Sequence, residues 1–133
     1  MPATVLDSFA LIAYFRGEAA GVPVKELLQK AGRSEKPVHM TEVNYAEVKH
    51  TILRKDGAEA WDEATRILVA LPIEFHPVTR ELADSAADYK ARISFSLADA
   101  FAAALAKEKK AELVTGDPEF KALEREIKIM WLR

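Results

Sequence analysis

Residues 97–118 read LADAFAAALAKEKKAELVTGDP, and this stretch decides the fold. Leu97 to Lys110, opened by Ser96, is the most helical segment of the chain, and Glu112 to Thr115 follows it as a short strand. Gly116-Asp117-Pro118 then turns the chain into a short helix, Pro118 to Arg125. Working outward, the same alternation recurs. Ala3 to Leu6 reads as a strand, and Ser8 to Arg16 carries Leu11, Ile12 and Phe15 at helical spacing until Gly17 stops it. Val22 to Ala31 is a second helix, with Val24, Leu27 and Leu28 on one side and Gly32 just past its end. Pro37 to Met40 is a strand, and Thr41 caps a helix that runs to about Lys55, where Asp56-Gly57 breaks the pattern. The next helix, about Ala58 to Ala70, sets Trp61, Thr65 and Leu68 on one stripe before Pro72. Ile73, Phe75 and Val78 mark a strand, Thr79 caps a helix whose buried face is Leu82, Ala86, Tyr89 and Ile93, and Lys128 to Leu132 is the last strand. Strands separated by helices, with no tight hairpin signal, need crossover connections. The expectation is an α/β fold: one domain over residues 1–133, with a mostly parallel sheet of about five strands and helices on both faces.

Composition narrows the function classes. A chain of 133 residues, half hydrophobic and 30% charged, is ordinary globular material. With no cysteine there is no disulfide scaffold, thiolate-ligated zinc or cysteine nucleophile. Met1-Pro2-Ala3-Thr4-Val5-Leu6-Asp7 lacks the basic region of a signal peptide, and Asp7 interrupts the apolar stretch, so a cytoplasmic location is expected. No apolar run approaches the roughly 18 residues that cross a bilayer, so no membrane partner is expected. The net charge of -2 shows no bulk attraction to nucleic acid, although four carboxylates sequestered around a metal would leave the remainder net basic.

Four acids occupy positions that this architecture makes chemically interesting. Asp7 follows Val5-Leu6, and Asp117 follows Leu113-Val114-Thr115-Gly116, so both lie just beyond the carboxyl ends of strands, where open α/β sheets bind ligands. Asp99 lies in the first turn of its helix, and Glu47 lies within the helix that follows the second strand. Neighbouring carboxylates resist shared ionisation and so call for a cation. Oxygen donors without His or Cys favour Mg²⁺ or Mn²⁺ over zinc. Each acid also has a plainer reading. Asp7 suits the cap of the first helix, Asp99 has the Ser-x-x-Asp spacing of a capping box, Asp117 is a turn former ahead of Pro118, and a mid-helix Glu47 is commonly solvated.

Taken in order, four segments resemble the PIN domain, the metal-dependent ribonuclease fold of VapC-type toxins. They are Val5-Leu6-Asp7-Ser8-Phe9-Ala10-Leu11, Val43-Asn44-Tyr45-Ala46-Glu47-Val48, Ser96-Leu97-Ala98-Asp99-Ala100 and Leu113-Val114-Thr115-Gly116-Asp117-Pro118-Glu119-Phe120, and together they span nearly the whole chain. The family pattern places one acid in each, which carries over to Asp7, Glu47, Asp99 and Asp117 as catalytic and metal-holding residues, with Ser8 and Thr115 as support for the metal shell. Where the family often has Asp two residues after the last acid, this chain has Glu119, and Phe9 stands where a smaller residue is common. The resemblance implies an endoribonuclease using Mg²⁺ or Mn²⁺, with RNA as substrate, a small antitoxin as partner, and a homodimer. Such an enzyme leaves 5′-phosphate and 3′-hydroxyl ends. The rivals are an RNA-processing nuclease of the same fold without an antitoxin and a regulatory α/β module that binds an ion without turnover.

Other features read plainly. Glu47 and His50 have Glu-x-x-His spacing, but a di-iron bundle needs that motif twice. His39 and His76 have no ligand partners at metal spacing and read as surface or strand-end residues. Asp84, Asp88 and Arg92 describe a solvated helix face, and Trp61 and Trp131 read as core or interface rather than base-stacking platforms. Lys107, Lys109 and Lys110 close a helix, where cations suit the dipole, and offer a second use as a phosphate contact. No glycine-rich dinucleotide fingerprint occurs.

Overall fold

The computed structural model describes residues 3–133, so the reading of the Met1-Pro2 start lies outside the described residues. In chain order the elements are β1 Thr4–Leu6, α1 Ser8–Phe15, α2 Gly21–Ser34, β2 Val38–Thr41, α3 Glu42–Asp56, α4 Ala58–Leu68 and β3 Ile73–His76. They continue with α5 Arg80–Arg92, α6 Leu97–Lys109, β4 Glu112–Thr115, a 3₁₀ helix Pro118–Leu123 and β5 Ile129–Trp131. The five strands form one sheet in the order β3-β2-β1-β4-β5, and every pairing is parallel. The expected α/β architecture is what forms.

Alternation along the strands sorts the core into two layers. Val5 and Leu113 face one way, into a cluster built on α5 and α6 with Leu82, Ala86, Tyr89, Phe101 and Leu105. Leu6, Val38 and Val114 face the other way, onto Ala10 of α1 and Val24, Leu28 and Ala31 of α2. Met40 completes that second face against Leu11, Val48, Ile52 and Trp61. Helix α6 is buried almost all round, from Ala98 to Ala106, and its alanines let it lie close between the sheet and its neighbours. Helices α1 and α2 meet so closely that a Cβ on Gly21 would stand 2.5 Å from the Ala13 carbonyl oxygen, which explains a glycine at that position.

Caps follow the chemistry of the sequence. Thr41, Thr79 and Ser96 accept from the backbone N–H groups of Asn44, Leu82 and Asp99, closing the first turns of α3, α5 and α6. Several boundaries differ from the sequence reading. Helix α2 runs through Gly32 to Ser34, because Glu35 takes the left-handed terminating conformation (φ 56°) and donates its N–H to Ala31. In α4 the buried stripe is Trp61, Ala64 and half-buried Leu68; Thr65 is exposed and returns its hydroxyl to the Trp61 carbonyl. Strand β3 ends at His76, before Pro77, which has no N–H to give the ladder. The segment after Pro118 is a 3₁₀ helix ending at Leu123, not a helix reaching Arg125. Asp84, Asp88 and Arg92 are exposed, as expected, and Trp61 is buried.

Sheet order positions the site. From β1 the chain proceeds outward to β2 and β3 on one side, then returns to place β4 and β5 on the other. The order therefore reverses between β1 and β4, the switch point at which open α/β sheets form a ligand-binding crevice beyond the strands' carboxyl ends.

Candidate active site

Asp7 and Asp117 flank that crevice. Leu6 pairs with Val114 in the ladder, and the Asp7 N–H donates to the Val114 carbonyl at 3.3 Å, so the two strands end side by side. Helix α6 feeds directly into the start of β4 and so runs against the strand direction, which brings its first turn, with Asp99, to the same edge. Helix α3 leaves the end of β2 at Thr41 and carries Glu47 on its second turn. Four elements distant in sequence thus deliver four carboxylates to one end of the sheet.

The plain readings and the site reading coexist. Asp7 does cap α1: its Oδ1 accepts the Ala10 N–H at 2.9 Å, while its other oxygen accepts the Thr115 hydroxyl. Thr115 also accepts the Asp117 N–H at 3.0 Å, so one hydroxyl holds both acids. Asp117 in turn caps the 3₁₀ helix through the Glu119 N–H at 2.9 Å. Asp99 behaves differently. Ser96 satisfies its N–H at 3.0 Å, but its carboxyl group faces Asp117 within reach of a shared proton.

The acids feel one another's charge. Burial pushes Asp7 up to about 7, against the opposing hydrogen bonds from Thr115 and Ala10, and the charges of Asp117 and Glu47 push the same way. Asp99 is pushed up to about 8, first by burial, then by its contact with Asp117 and by the charges of Asp117, Asp7 and Glu47. The charges of Asp7, Glu47 and Asp117 thus all reach Asp99. Among the described residues none of them has a Lys, Arg or His ion-pair partner.

That donor set fits a hard divalent ion. It offers oxygens only, with no buried cation in competition. No three of the four acids bring ligand atoms within 4.8 Å of one another, so they form an open set and not a closed cage. Mg²⁺ suits such a set, because it keeps several waters and takes only one or two carboxylates directly. At most two of Asp7, Asp99 and Asp117 would hold such an ion directly, and the remaining acids, Glu47 among them, would reach it through its waters.

A buried polar bridge supports the acids. Asn44, wholly buried, donates from Nδ2 to Ser8 Oγ at 2.9 Å and to the Ala98 carbonyl at 3.1 Å, and its Oδ1 accepts the Thr41 hydroxyl. It locks the residues next to Asp7 and Asp99 to the start of α3. Sequence reasoning did not single it out. The signal was present: Asn44, Val48 and Ile52 form the buried i, i+4, i+8 stripe of α3, and an amide on such a stripe needs partners.

Of the remaining expectations, Glu119 is exposed and contributes its backbone N–H to Asp117. The Phe9 ring lies against Gly116, where a Cβ would stand 2.3 Å from its Cε1, so glycine is required for this ring position beside Asp117. Lys107 and Lys110 lie at the far end of α6, about 12–16 Å along its axis from Asp99, which removes them from any phosphate held by the acids. A groove of about 300 Å³ lined by Phe15, Arg16, Ile52, Asp56, Ala64 and Ile67 lies away from the acids, at the other ends of α1 and α3. The reading of His39 and His76 needs correction, since the two rings meet at 2.8 Å, with Glu74 beside them. Parallel register between β2 and β3 creates that meeting, and helix and strand periodicity carries no information about register.

Comparison with known proteins agrees with the geometry. The sequence profile of the PIN domain matches residues 4–126. Among solved structures, VapBC2 of Rickettsia felis, solved bound to a DNA fragment from its promoter, is similar at TM-score 0.75 and 14% identity over 98% of this chain and 99% of that one. VapC20 of Mycobacterium tuberculosis, described as a sarcin-ricin loop cleaving toxin, is similar at TM-score 0.68 and 20% identity over 90% and 94%. VapBC-5 of the same organism, from a toxin-antitoxin system, is similar at TM-score 0.61 and 25% identity over 99% of both chains. No curated protein matches the sequence. With the profile covering nearly all of the chain, the five-stranded parallel sheet in place and four acids gathered at its switch point, the chain belongs to the PIN domain family.

Proposed function

We propose that this chain is a divalent-metal-dependent endoribonuclease and the toxin of a toxin-antitoxin pair. The observation that carries the proposal is the set of four carboxylates at the β1/β4 crevice without a cationic partner, two of them pushed far above the ordinary carboxylate range. Such a group repels a phosphodiester unless a cation intervenes. A bound Mg²⁺ or Mn²⁺ supplies charge neutralisation at the phosphate and makes a neighbouring water acidic enough to attack at neutral pH. Hydrolysis adds that water oxygen to phosphorus and breaks the bond to the 3′ oxygen, leaving a 5′-phosphate and a 3′-hydroxyl.

The chain's own residues divide the work. Asp7 is fixed by two hydrogen bonds, and Thr115 ties it to Asp117, so both arrive pre-positioned. Asp99, its proton affinity raised by burial and by its contact with Asp117, would release its proton on binding a cation. Glu47, half-buried and engaged in no cap, is the acid free to orient the attacking water. Ser8 holds the start of α1 through Asn44.

The VapBC neighbours support the toxin reading with a small antitoxin as partner; a homodimer acting in the cytoplasm is proposed with it. An antitoxin segment that blocks this crevice presents Arg or Lys to the carboxylates. The test uses purified protein and a single-stranded RNA, with EDTA or with Mn²⁺. Cleavage in Mn²⁺ alone, with 5′-phosphate ends, is expected, and cleavage undiminished by EDTA overturns the metal reading. Expression of the chain alone is expected to slow growth, and the small reading frame beside it to restore growth when co-expressed. Harmless expression of a protein that still cuts RNA leaves a nuclease that is not a toxin.

A further inference from the structure

Strands β2 and β3 pair in parallel with His39 opposite Glu74 and Thr41 opposite His76. Side chains alternate across a sheet, so His39, Glu74 and His76 share one face, while Met40, Ile73 and Phe75 go to the core on the other. On that shared face His39 Nδ1 stands 2.8 Å from His76 Nε2 and 3.1 Å from Glu74 Oε2, and His76 Nε2 stands 3.6 Å from the same oxygen. Two ring nitrogens and a carboxylate oxygen therefore point at one another. Among the described residues this is the one trio of His, Asp or Glu with ligand atoms all within 4.8 Å.

We infer that His39, Glu74 and His76 form a second metal site, for a borderline divalent transition ion such as Zn²⁺, on the sheet face at its β3 edge. The triangle has the right size. Ligands about 2.0–2.1 Å from a tetrahedral zinc are roughly 3.3 Å from each other, and the three edges here bracket that spacing. The donors are the right kind, since imidazole selects Zn²⁺, Co²⁺ or Ni²⁺ over Mg²⁺. Access and rigidity also suit it. The rings are held on paired strands with side chains 14% and 17% exposed, while Glu74, at 55%, leaves the fourth position open to water. The plain alternative is a hydrogen bond between two neutral rings, with one proton lying between the nitrogens. A metal ion replaces that proton and engages both lone pairs and the carboxylate. Lys109, at the end of α6, is the cation whose charge reaches His39. It makes no ion pair with Glu74 among the described residues, so the carboxylate remains free for an ion. Because β3 is the sheet edge and is paired only to β2, an ion here ties the edge strand to its neighbour.

This site shares no residue with the acidic crevice, and its test is independent of nuclease activity. The Asp99→Asn protein, with the crevice weakened, serves as the parent and is titrated with Co²⁺ while visible absorption is followed, then with Zn²⁺ in competition. One equivalent of Co²⁺ is expected to give the intense visible bands of a four-coordinate ion, displaced by Zn²⁺. Adding His76→Gln or Glu74→Gln is expected to weaken binding at least tenfold. Glu74 is more than half exposed, so Glu74→Gln keeps the fold and the comparison meaningful. Equal affinity in the parent and both variants, or no visible band with Co²⁺, overturns the assignment.

Discussion

Asp99 and Asp7 both carry raised pKa values, but their substitutions are expected to shift stability in opposite directions, because only Asp7 accepts hydrogen bonds that its removal would orphan. Asp99 contributes no cap with its carboxylate and lies among like charges, so in metal-free protein near pH 7 its ionised form is destabilising. Asp99→Asn is expected to raise the metal-free melting temperature by several degrees, as about 1 kcal/mol does in a domain of this size. Asp7→Ala is expected to lower it, because the Ala10 N–H and the Thr115 hydroxyl lose a buried acceptor, at a cost of about 1–3 kcal/mol. Linkage gives the pH dependence. The folded pKa values, about 7 for Asp7 and about 8 for Asp99, lie above the unfolded aspartate value of about 3.9. Between these limits the folded protein binds more protons, so stability conferred by these groups is fully present below pH 4 and is lost as pH rises to 7–8. Melts in EDTA across that range are expected to fall toward neutral pH in wild type and to fall less in Asp99→Asn.

At the scale of elements, the acids depend on how α1, α3 and α6 are held together, and Asn44 is the residue that joins them. Asn44→Ala removes the side-chain amide that bonds Ser8, Thr41 and the Ala98 carbonyl, leaving only the main-chain bonds of residue 44 to Ser8 and Thr41, and is expected to cost about 1–3 kcal/mol. Urea denaturation checks this: the midpoint moves down with the slope unchanged. The same elements show which parts of the fold were legible in the sequence. Strands and helices could be placed because Thr41, Thr79 and Ser96 announce their caps, and because Val24, Leu28, Leu82, Ala86 and Tyr89 repeat at helical spacing. Thr65 misled because its neighbour Ala64, small and uninformative in composition, takes the buried position. Glu35 misled because a left-handed terminus commonly falls on glycine, and Gly32 stood nearby.

For the whole molecule, strand order and register were the missing information. Nothing local in β2 or β3 says that His39 meets Glu74 and His76, since that contact depends on which strands pair and in which alignment. The acids were easier, because a parallel sheet sends every strand's carboxyl end to one side, and Asp7 and Asp117 directly follow strand ends in the sequence. That Asp99 and Glu47 join them rested on the PIN resemblance until the fold placed α3 and α6. No helix of the described residues is long and apolar enough to cross a membrane. The central claim is that the four acids share one hard divalent ion, and Mg²⁺, which histidine nitrogens bind poorly, addresses it without interference from the second site. Thermal melts of wild type and of Asp7→Asn, Glu47→Gln, Asp99→Asn and Asp117→Asn, each with EDTA and with Mg²⁺, are the direct measurement. Mg²⁺ is expected to raise the wild-type midpoint, through preferential binding to the native state, and to do much less for each variant. An equal shift in all five proteins, or none in wild type, would mean that these carboxylates do not form a shared site.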